Sequence, residues 1–514
     1  MRERISETMS DYYKNEIELP LLLDDYDHLF EEELRVQRAY AVMLIKSGMI
    51  SPADGKKIIE GLEYVRDNLK REDLNVDYED LYFNVQHCLV EKVGIEVGGR
   101  LHMGRSRNDI GSTLNRMIVR KSTLSVIKNL IVLQRELAAK AKKEKDVVIT
   151  GYTHTQPAQP TCMGHYYTAV FSALSRDFDR LKAAFANTNK SPYGTAASLG
   201  ATFPVDRQLL ADLLGFDGVL ENSLDCIASK DFLLEAEMAY VNMGITLSRL
   251  AQDLYMWSTY EFGLLEFGGQ IAVCSSIMPQ KKNASGIEYA KSKAGHPIGT
   301  LASTLAALKN IPFTNCIDIH EALWYYGSGV TETNKILGVV TECLKYSNIN
   351  RRKAYEAAKN NFCTVTGLAD ELVRRFGISF DQAHHIVGTM VGEVTAANSC
   401  IGASECADSC VLPSAASGIN GMTSELLKAV SEEYLGKKLE LSDEEIEAVL
   451  DPYNNVQAKI TYGGPQKASV EKMIEEAEAR VAEEESWLKT AAERIEAGYA
   501  RLSSAERDII MGRI

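Results

Sequence analysis

Residues 232–257 read "FLLEAEMAYVNMGITLSRLAQDLYMW", and this stretch decides the fold class. As a helix it carries apolar side chains on nearly every side, which is the pattern of a helix at the centre of a bundle. Outside an oligomer, such a helix would expose more apolar surface than soluble monomers usually tolerate. The stretch therefore predicts a helical bundle that assembles with further copies of the chain.

Further long helices are predicted on both sides of this stretch. Met117, Leu124, Ile131 and Ala138 recur every seven residues, which indicates a bundle helix that ends near Lys145. The next helical pattern begins at Pro160, and the pattern that follows residue 257 is stopped by Pro312. These further patterns cover 160–186, 287–309 and 321–345.

The chain divides into three predicted parts, and strand patterns are sparse in all of them. The fold class expected is mostly α, with a long central helical bundle. The parts are an N-terminal helical domain at 1–112, the central long-helix bundle at 113–362 and a C-terminal helical domain at 363–514. The last part contains a linker rich in Gly, Ser, Ala and Cys and then a charged amphipathic helix.

The composition excludes several classes of partner. With 45% apolar and 25% charged residues among 514, the chain has the composition of an ordinary soluble globular protein. Its net charge of −15 predicts no general attraction to nucleic acid or to an anionic membrane. No run of about 18 apolar residues occurs, so no membrane span is expected. An anionic substrate must be bound by a local cluster of Arg and Lys.

The ten cysteines are dispersed and form no Cys-x-x-Cys pair. We interpret them as reduced thiols, which predicts a cytoplasmic protein. Cys400, Cys406 and Cys410 lie close together, but no histidine is near and they match no usual zinc spacing. A redox role for this trio is left open, and no bound metal is expected.

The first of three polar stretches between helices is "GRLHMGRSRNDIGS" at 99–112. Arg105, Ser106, Arg107 and Asn108 lie just ahead of the first bundle helix. Free N–H groups at a helix start, with a guanidinium beside them, form a receptor for a carboxylate or phosphate. An N-cap flanked by solvated arginines is the alternative interpretation.

The second stretch is "GYTHTQPAQP" at 151–160. Thr153, His154 and Gln156 gather in a loop between long helices, just before the helix that Pro160 is expected to open. A lone histidine is more often structural than catalytic. The hypothesis of a binding loop therefore rests on the polar neighbours of this histidine.

The third stretch is "CSSIMPQKKN" at 274–283. Pro279 forbids a helix through its middle, and in an extended segment Lys281 and Asn283 point to one side. With the hydroxyl groups of Ser275 and Ser276, such a loop can bind a carboxylate and stabilise negative charge developing on it. A flexible, solvated surface loop is the alternative.

All three stretches lie at the ends of predicted bundle helices. Together they supply Arg, Lys, Thr, Asn, Ser and His, a set that suits a dicarboxylate better than a metal or a nucleotide. No P-loop, dinucleotide-binding fingerprint, Gly-x-Ser-x-Gly elbow or His-Glu-x-x-His motif is present. We therefore expect a small-molecule substrate and no cofactor.

The third stretch resembles the signature Ser-Ser-x-Met-Pro-x-Lys-x-Asn of the fumarase/aspartase superfamily. "LHMGRSRND" and "GYTHTQPAQP" are similar to the other two signature regions, in the form they take in argininosuccinate lyases. Similarity to that branch continues through "SPYGTAASLGATFPVDRQLL", "NSLDCIASKDF" and "LDPYNNVQAKITYGGP". The resemblance implies a homotetramer in which three different subunits build each active site. It also implies reversible β-elimination of fumarate from an N-substituted L-aspartate, which is an N-succinyl compound.

The resemblance also implies a role for each matching residue. Ser275 would be the base that takes the Cβ proton, and Lys281 would stabilise the resulting aci-carboxylate. His154 would pair with the carboxylate of Glu288. Because serine is a poor base in water, its alkoxide must be stabilised by the lysine and by N–H groups of the loop. The substrate-binding set is Ser106, Arg107, Asn108, Thr153, Gln156, Ser276, Asn283 and His320.

The sequence also departs from the family pattern, chiefly where the leaving amine would bind. The signature begins with Cys274 in place of glycine, and Ala284 stands where proline is usual. On the amine side, Lys230 replaces an arginine, and the positions of a Tyr, Gln and Lys pattern hold Asn315, His320 and Leu323. The charged C-terminal helix resembles that of extended relatives, which include lyases of the ethylenediamine-disuccinate type.

Three functions follow from these comparisons of motifs. The main one is an argininosuccinate lyase-like carbon–nitrogen lyase, and the second is an aminopolycarboxylate lyase. The third is a non-catalytic structural paralogue, as lens crystallins of this family are. Retention of Ser275, Lys281, Asn283, His154 and Glu288 favours an enzyme, because a structural descendant has no physical need of that set.

Overall fold

The computed structural model describes residues 7–398, 419 and 421–514. The first part of the chain is helical, with single 3₁₀ or π turns at Lys14–Glu18, Arg71–Asp73, Val76–Tyr78 and Gly99–His102. Its helices are α1 (Asp11–Tyr13), α2 (Leu19–Lys46), α3 (Pro52–Asn68), α4 (Leu81–Val93) and α5 (Ile95–Gly98).

The middle of the chain is a bundle of long helices joined by short strand pairs. Its helices are α6 (Arg107–Lys143), α7 (Met163–Thr188), α8 (Arg207–Leu213), α9 (Ser223–Ala228), α10 (Asp231–Trp257), α11 (Ser285–Lys293), α12 (His296–Leu308) and α13 (Asp318–Lys345). Its strands are β1 (Val148–Thr153), β2 (Gln156–Cys162), β3 (Leu265–Phe267), β4 (Val273–Cys274), β5 (Lys282–Asn283) and β6 (Ser347–Ile349).

The last part is again helical. Its helices are α14 (Arg351–Asn360), α15 (Val365–Phe376), α16 (Phe380–Asn398), α17 (Ser424–Leu435), α18 (Asp443–Leu450), α19 (Pro452–Gln457) and α20 (Lys467–Ile510). The open question on Cys400, Cys406 and Cys410 falls outside the described residues. Within them, no group of three or more His, Cys, Asp or Glu side chains is arranged to hold a metal ion. Nor is any helix of the described ranges both long enough and apolar enough to cross a membrane.

The mostly α fold predicted from the sequence is confirmed. Across the described ranges, the strands form only two-stranded antiparallel pairs: β1 with β2, β3 with β6, and β4 with β5. The helix that decides the fold, α10, begins one residue earlier than predicted and ends at the predicted residue. It is buried along most of its length against α6, α7 and α13.

Two helix boundaries differ from the prediction. The helix expected to open at Pro160 begins at Met163, because Pro160 lies in β2 opposite Thr150. Strand β2 pairs with β1 on one edge and with no strand on its other edge. A proline is therefore tolerated in β2, because the N–H that proline lacks is not needed on the unpaired edge. The pattern at 287–309 forms two helices, α11 and α12, with Pro297 in the first turn of the second. Proline cannot continue a helix from the preceding turn, so the chain breaks there.

Helices α6, α10 and α13 run in the same direction, so the bundle has an amino end, where they begin, and a carboxyl end, where they finish. Side-chain hydrogen bonds fix this alignment: Asn315 to Asn108 (3.2 Å) and Lys230 to Ser112 (3.3 Å) at the amino end, and Lys140 to the Ser347 carbonyl (2.7 Å) at the carboxyl end. Helix α7 returns antiparallel through the β1–β2 hairpin. Every polar stretch of the sequence therefore lies at one end or the other.

Three apolar clusters make up the main core. The first fills the bundle, the second joins α2–α4 to the start of α6, and the third lies within α15–α18. Helix α20 contributes Val470 and Ile474 to the first cluster and Leu502 and Ile509 to the second. The domain boundaries at 112 and 362 stay predictions, but α20 packs on the bundle and on the N-terminal helices.

Glu237 is an exception inside the apolar bundle. It faces α12 from the middle of α10 with 1% of its surface exposed, and neither carboxylate oxygen has a hydrogen-bond partner among the described residues. Burial raises the pKa of Glu237 to about 7, against a smaller opposing effect of the nearby Thr304 hydroxyl, whereas an exposed glutamate titrates at about 4.3. The folded state therefore keeps a proton that the unfolded chain loses. This contribution to stability is present at low pH and is lost as pH rises through the folded pKa.

We predict that Glu237→Gln makes the protein less sensitive to alkaline pH. Between pH 6 and pH 8 the wild type should lose about 1 kcal/mol of stability at this site, which the glutamine variant cannot lose. Thermal unfolding at both pH values measures the difference in Tm. Glu235→Gln, two residues away and accessible, is the matched control. An equal fall in Tm for wild type and Glu237→Gln would contradict the prediction.

Candidate active site

The first polar stretch forms a closed cap at the start of α6. The Oγ of Ser106 accepts the N–H of Asn108 (3.3 Å), and the N–H of Ser106 donates to Asp109 (2.9 Å). Asp109 is buried and also accepts the N–H groups of Gly194 (3.0 Å) and Ala196 (3.2 Å). Burial raises the pKa of Asp109 to about 6, against the effect of these donors. The cap therefore fixes Ser106 and Asn108 at the amino end of the bundle.

The two arginines of this stretch have different environments. Arg105 is buried and donates to the hydroxyl of Tyr193 (3.1 Å), so it is not solvated and cannot meet a ligand at the surface. Arg107 lies on the accessible side and donates to Glu79 (3.1 Å) and Asp80 (2.8 Å). Of the pair, Arg107 is the guanidinium that a ligand carboxylate can reach.

The departures on the amine side lie next to this cap. The amide of Asn315, just ahead of α13, donates to the side chain of Asn108 (3.2 Å). Desolvation by neighbouring protein atoms lowers the pKa of His320. The negative charge of Asp80 raises this pKa, and the positive charge of Lys230 lowers it further. Burial lowers the pKa of Lys230 to about 8. The amino end thus combines the predicted carboxylate receptor with the amine-side residues that differ from the family pattern.

The second polar stretch is the tip of the β1–β2 hairpin rather than a loop before a helix. Thr153 pairs with Gln156, and the two residues between them form the turn. His154 (φ 53°) and Thr155 (φ 60°) both have left-handed backbone, as a two-residue hairpin turn of type I′ requires. All four side chains are exposed at the carboxyl end of the bundle. Strained backbone of this kind in non-glycine residues clusters at functional sites.

The base of this hairpin is anchored by a segment that the sequence analysis matched to the family without giving it a role. Lys459 donates to the carbonyl of Pro160 (2.6 Å), and His165 lies 3.0 Å from the carbonyl of Gly463. A two-stranded hairpin is marginally stable alone, so these contacts help to set where its tip lies. Both anchoring residues fall in the "AKITYGGP" stretch, whose match to the family was the available signal.

The third polar stretch is a second hairpin, formed by β4 and β5. Its two ends are extended as predicted, whereas the residues between them, Lys281 included, form the turn. At its tip, the Oγ of Ser275 accepts the N–H groups of Ile277 (3.3 Å) and Met278 (3.0 Å). The N–H of Ser275 donates to the carbonyl of Lys281 (3.3 Å), which closes the turn. The serine hydroxyl is therefore held by N–H donors, with a lysine on the same turn.

The other residues of this hairpin are largely accessible. Ser276 and Lys281 are exposed, and Asn283 is partly buried in β5. Lys282 is paired with Glu266 (2.9 Å) and so is directed away from the tip. Cys274, which stands in place of the family glycine, is exposed in β4.

The predicted pair of His154 and Glu288 does not form within one chain. Glu288, in the first turn of α11, accepts the hydroxyl of Tyr255 (3.0 Å), and no hydrogen bond among the described residues joins it to His154. The pairing stays a prediction for side chains of different copies.

Helix α6 keeps the polar stretches apart within the chain. It spans 37 residues without a break, which corresponds to about 55 Å. The cap with Ser106, Arg107 and Asn108 lies at its start, whereas the β1–β2 and β4–β5 hairpins lie beyond its finish. A single chain therefore brings the cap together with the amine-side residues but not with either hairpin.

Family models and solved structures agree on the kind of protein. A model described as Lyase matches residues 22–299, and one described as Argininosuccinate lyase C-terminal matches residues 362–457. EDDS lyase in complex with formate is similar at a TM-score of 0.85 and 27% identity, over 98% of this chain and 97% of that chain. A variant of EDDS lyase with bound fumarate gives a TM-score of 0.84. The fold and the motif-bearing hairpins define a lyase of the fumarase/aspartase superfamily.

Curated relatives narrow this class. Argininosuccinate lyase 1 of Shouchella clausii is 37% identical over 90% of both chains. Argininosuccinate lyase of Methanocaldococcus jannaschii is 36% identical over 87% of both chains. The chain belongs to the argininosuccinate lyase family and is a carbon–nitrogen lyase.

Proposed function

We propose that the enzyme releases fumarate from an N-substituted L-aspartate by reversible β-elimination. The observation that carries this proposal is the environment of Ser275, whose Oγ accepts two N–H groups of its own turn (3.3 and 3.0 Å). Donors aimed at one oxygen stabilise negative charge on it, so they favour the alkoxide. Lys281 on the same turn adds a positive charge. A serine held in this way can take the Cβ proton.

The elimination then follows from the groups that the motifs supply. As Ser275 takes the Cβ proton, the electron pair moves into the adjacent carboxylate, and Lys281 and Asn283 stabilise the aci-carboxylate that forms. The electrons return to form the double bond of fumarate as the C–N bond breaks, and the bonding pair stays on the nitrogen, which leaves as the neutral amine because it enters protonated. His154, paired with Glu288 of another copy, is proposed to act on the succinyl carboxylate side of the site. The remaining contacts to the substrate are assigned to Ser106, Arg107, Asn108, Thr153, Gln156, Ser276 and His320.

We propose a homotetramer in which different subunits complete each site. The length of α6 supports this, because no small substrate can touch both ends of a helix of about 55 Å. Apolar side chains on the outer face of the bundle support it too. Met238 and Ile245 on α10 are 49% and 47% exposed, and Ile298 and Leu305 on α12 are 49% and 41% exposed. Large exposed apolar side chains in rows mark surfaces that bind other chains.

We also propose that the enzyme works in the cytoplasm. The cysteines of the described residues, Cys88, Cys162, Cys226, Cys274, Cys316, Cys343 and Cys363, are all free. Dispersed thiols without disulfides are typical of that compartment. Fractionation of the source cells, followed by an assay of each fraction, tests the proposal.

Replacement of the base and of its cation should stop the reaction without unfolding the protein. Ser275→Ala should abolish turnover, since it removes the base from an exposed turn and not a core contact. Lys281→Met should lower kcat by roughly 10²-fold or more through lost charge stabilisation. Fumarate absorbance measures both rates, and Lys282→Met, which removes a neighbouring lysine paired elsewhere, is the control. Near-wild-type rates in Ser275→Ala and Lys281→Met would refute the assignment of the base hairpin.

Shared sites predict that two inactive variants restore each other. Asn108→Ala damages the amino end of the bundle and Ser275→Ala the carboxyl end, and each should be inactive alone. Co-expressed in one cell, they should form mixed oligomers in which some sites receive intact segments from both chains. Recovery of fumarate release in the purified mixed oligomer is the expected outcome. An inactive mixed oligomer, shown by mass spectrometry to contain both chains, would contradict the sharing of sites.

The altered amine side predicts a changed substrate preference. Asn315, His320 and Leu323 replace a Tyr, Gln and Lys pattern, and polar groups of a buried substrate left without partners cost about 1–3 kcal/mol each. Two or three such losses should make argininosuccinate turnover roughly 10²-fold weaker than turnover of a better-fitting N-substituted aspartate. The measurement compares kcat/KM for argininosuccinate, ethylenediamine-disuccinate and simple N-alkyl aspartates. Ordinary efficiency on argininosuccinate alone would show that the pocket has kept that substrate.

A further inference from the structure

A hydrogen bond between Tyr255 and Glu288 links the end of α10 to the start of α11. The hydroxyl of Tyr255 donates to the Oε1 of Glu288 (3.0 Å). Tyr255 lies in the last turn of α10, and Glu288 is exposed in the first turn of α11, which follows directly on β5. The elimination proposed above gives the tyrosine no role, although it contacts one member of the proposed pair of His154 and Glu288.

The side chain of Tyr255 is itself held from two sides. Its ring packs against the apolar core of the bundle. The ammonium group of Lys291, one turn along α11 from Glu288, lies 4.5 Å from the centre of the ring in a cation–π contact. The hydrogen bond to Glu288, with the negative charge of that residue and desolvation, raises the pKa of Tyr255. The hydroxyl therefore keeps its proton and remains a hydrogen-bond donor at neutral pH.

The two carboxylate oxygens of Glu288 have different environments. Oε1 accepts the hydroxyl of Tyr255, whereas Oε2 has no hydrogen-bond partner among the described residues, and no cation of those residues forms a salt bridge with Glu288. A glutamate side chain loses rotamer freedom when it is fixed. A carboxylate already held through one oxygen can therefore present the other to a partner at a lower entropic cost.

We propose that Tyr255 is a positioning residue of the active site, which holds one oxygen of Glu288 so that the other accepts a hydrogen bond from His154 of another copy. This inference rests on the proposed release of fumarate and on the proposed pair. The members of the pair would belong to different copies, so each must be oriented by its own chain. The left-handed turn at His154 (φ 53°) orients the imidazole, and Tyr255 orients the carboxylate. Reacting groups fixed in this way lower the entropic part of the barrier.

Removal of the tyrosine hydroxyl should slow the reaction without weakening substrate binding. Tyr255→Phe keeps the ring in the core and deletes only the donor to Glu288. We expect kcat to fall about tenfold, which is the effect of one hydrogen bond to a charged group, while KM changes less than twofold. Fumarate absorbance measures both constants on the N-substituted aspartate that the wild type turns over fastest. Tyr289→Phe, at a tyrosine that is 63% exposed on the same helix, is the matched control and should leave both constants unchanged.

A second background separates positioning of the pair from simple anchoring of α11. His154→Gly removes the imidazole, and glycine accepts the left-handed backbone of that turn without strain. If Tyr255 acts through the pair, Tyr255→Phe should change the residual kcat of His154→Gly by less than twofold. If the tyrosine only anchors α11, or if Tyr255→Phe leaves part of the protein unfolded, the tenfold loss should persist in this background.

Three results would overturn the inference while leaving fumarate release intact. They are a kcat of Tyr255→Phe within twofold of the wild type, a tenfold loss that persists in His154→Gly, and a wild-type rate in His154→Gly itself. Absence of fumarate from every N-substituted aspartate offered to the wild type would instead overturn the proposed function, and the inference with it.

Discussion

The unbroken helix α6 is the constraint on which the rest of the molecule depends. Its start is closed by the buried carboxylate of Asp109, which holds two distant backbone N–H groups as well as that of Ser106. Further along, the buried guanidinium of Arg120 ties it to the Leu214 carbonyl (2.7 Å) and to Tyr499 of α20 (2.9 Å). With no proline in its 37 residues, the helix behaves as a rigid rod. The polar stretches at its two ends are thereby held at a fixed separation.

Because of this separation, the polar residues at the two ends of the bundle have different environments. At the amino end Lys230 is buried and Asn108 is partly buried, whereas His320 is exposed on α13. The carboxyl end presents two hairpins that stand out from the bundle and carry His154 and Ser275 on tight turns. The proposed recognition of the amine and the proposed abstraction of the proton are thus assigned to different parts of the chain, a surface of packed helices and a hairpin turn. Under this assignment, substitutions on the amine side leave the contacts of Ser275 within its own hairpin unchanged.

The sequence predicted the helices better than the turns, for a physical reason. Helix α10 matched within one residue because its apolar pattern is continuous and needs no distant partner. The turn at His154 and Thr155 escaped prediction, since left-handed turns are signalled by Gly, Asn or Asp and neither residue is one of these. The helix start predicted at Pro160 was wrong, because a proline fits both a helix start and a strand that pairs on one side only. The anchoring Lys459 lies about 300 residues from its partner, a distance at which local patterns carry no information.

In the candidate site, too, local sequence motifs were informative, whereas features that depend on tertiary packing were not predicted. The motifs predicted which residues form the site, through their match to a known family, and these roles stay predictions. They could not tell Arg105 from Arg107, because the difference depends on Tyr193, which comes from a different part of the chain. The burial of Lys230 was equally hidden, since it depends on the packing of α10 against α6.

The packing of α20 has a consequence for how the protein is made. Leu502, Ala505 and Ile509 belong to the same apolar cluster as Leu22 and Phe30, so this cluster joins residues nearly the whole length of the chain apart. The glycines at 215 and 498 touch backbone to backbone, which leaves no room for a side chain where the last helix docks. During synthesis the N-terminal helices are made first, and their apolar core stays incomplete until residues 502–509 have been synthesised. This cluster is therefore completed only after the last helix has been synthesised, and until then the nascent chain exposes apolar surface.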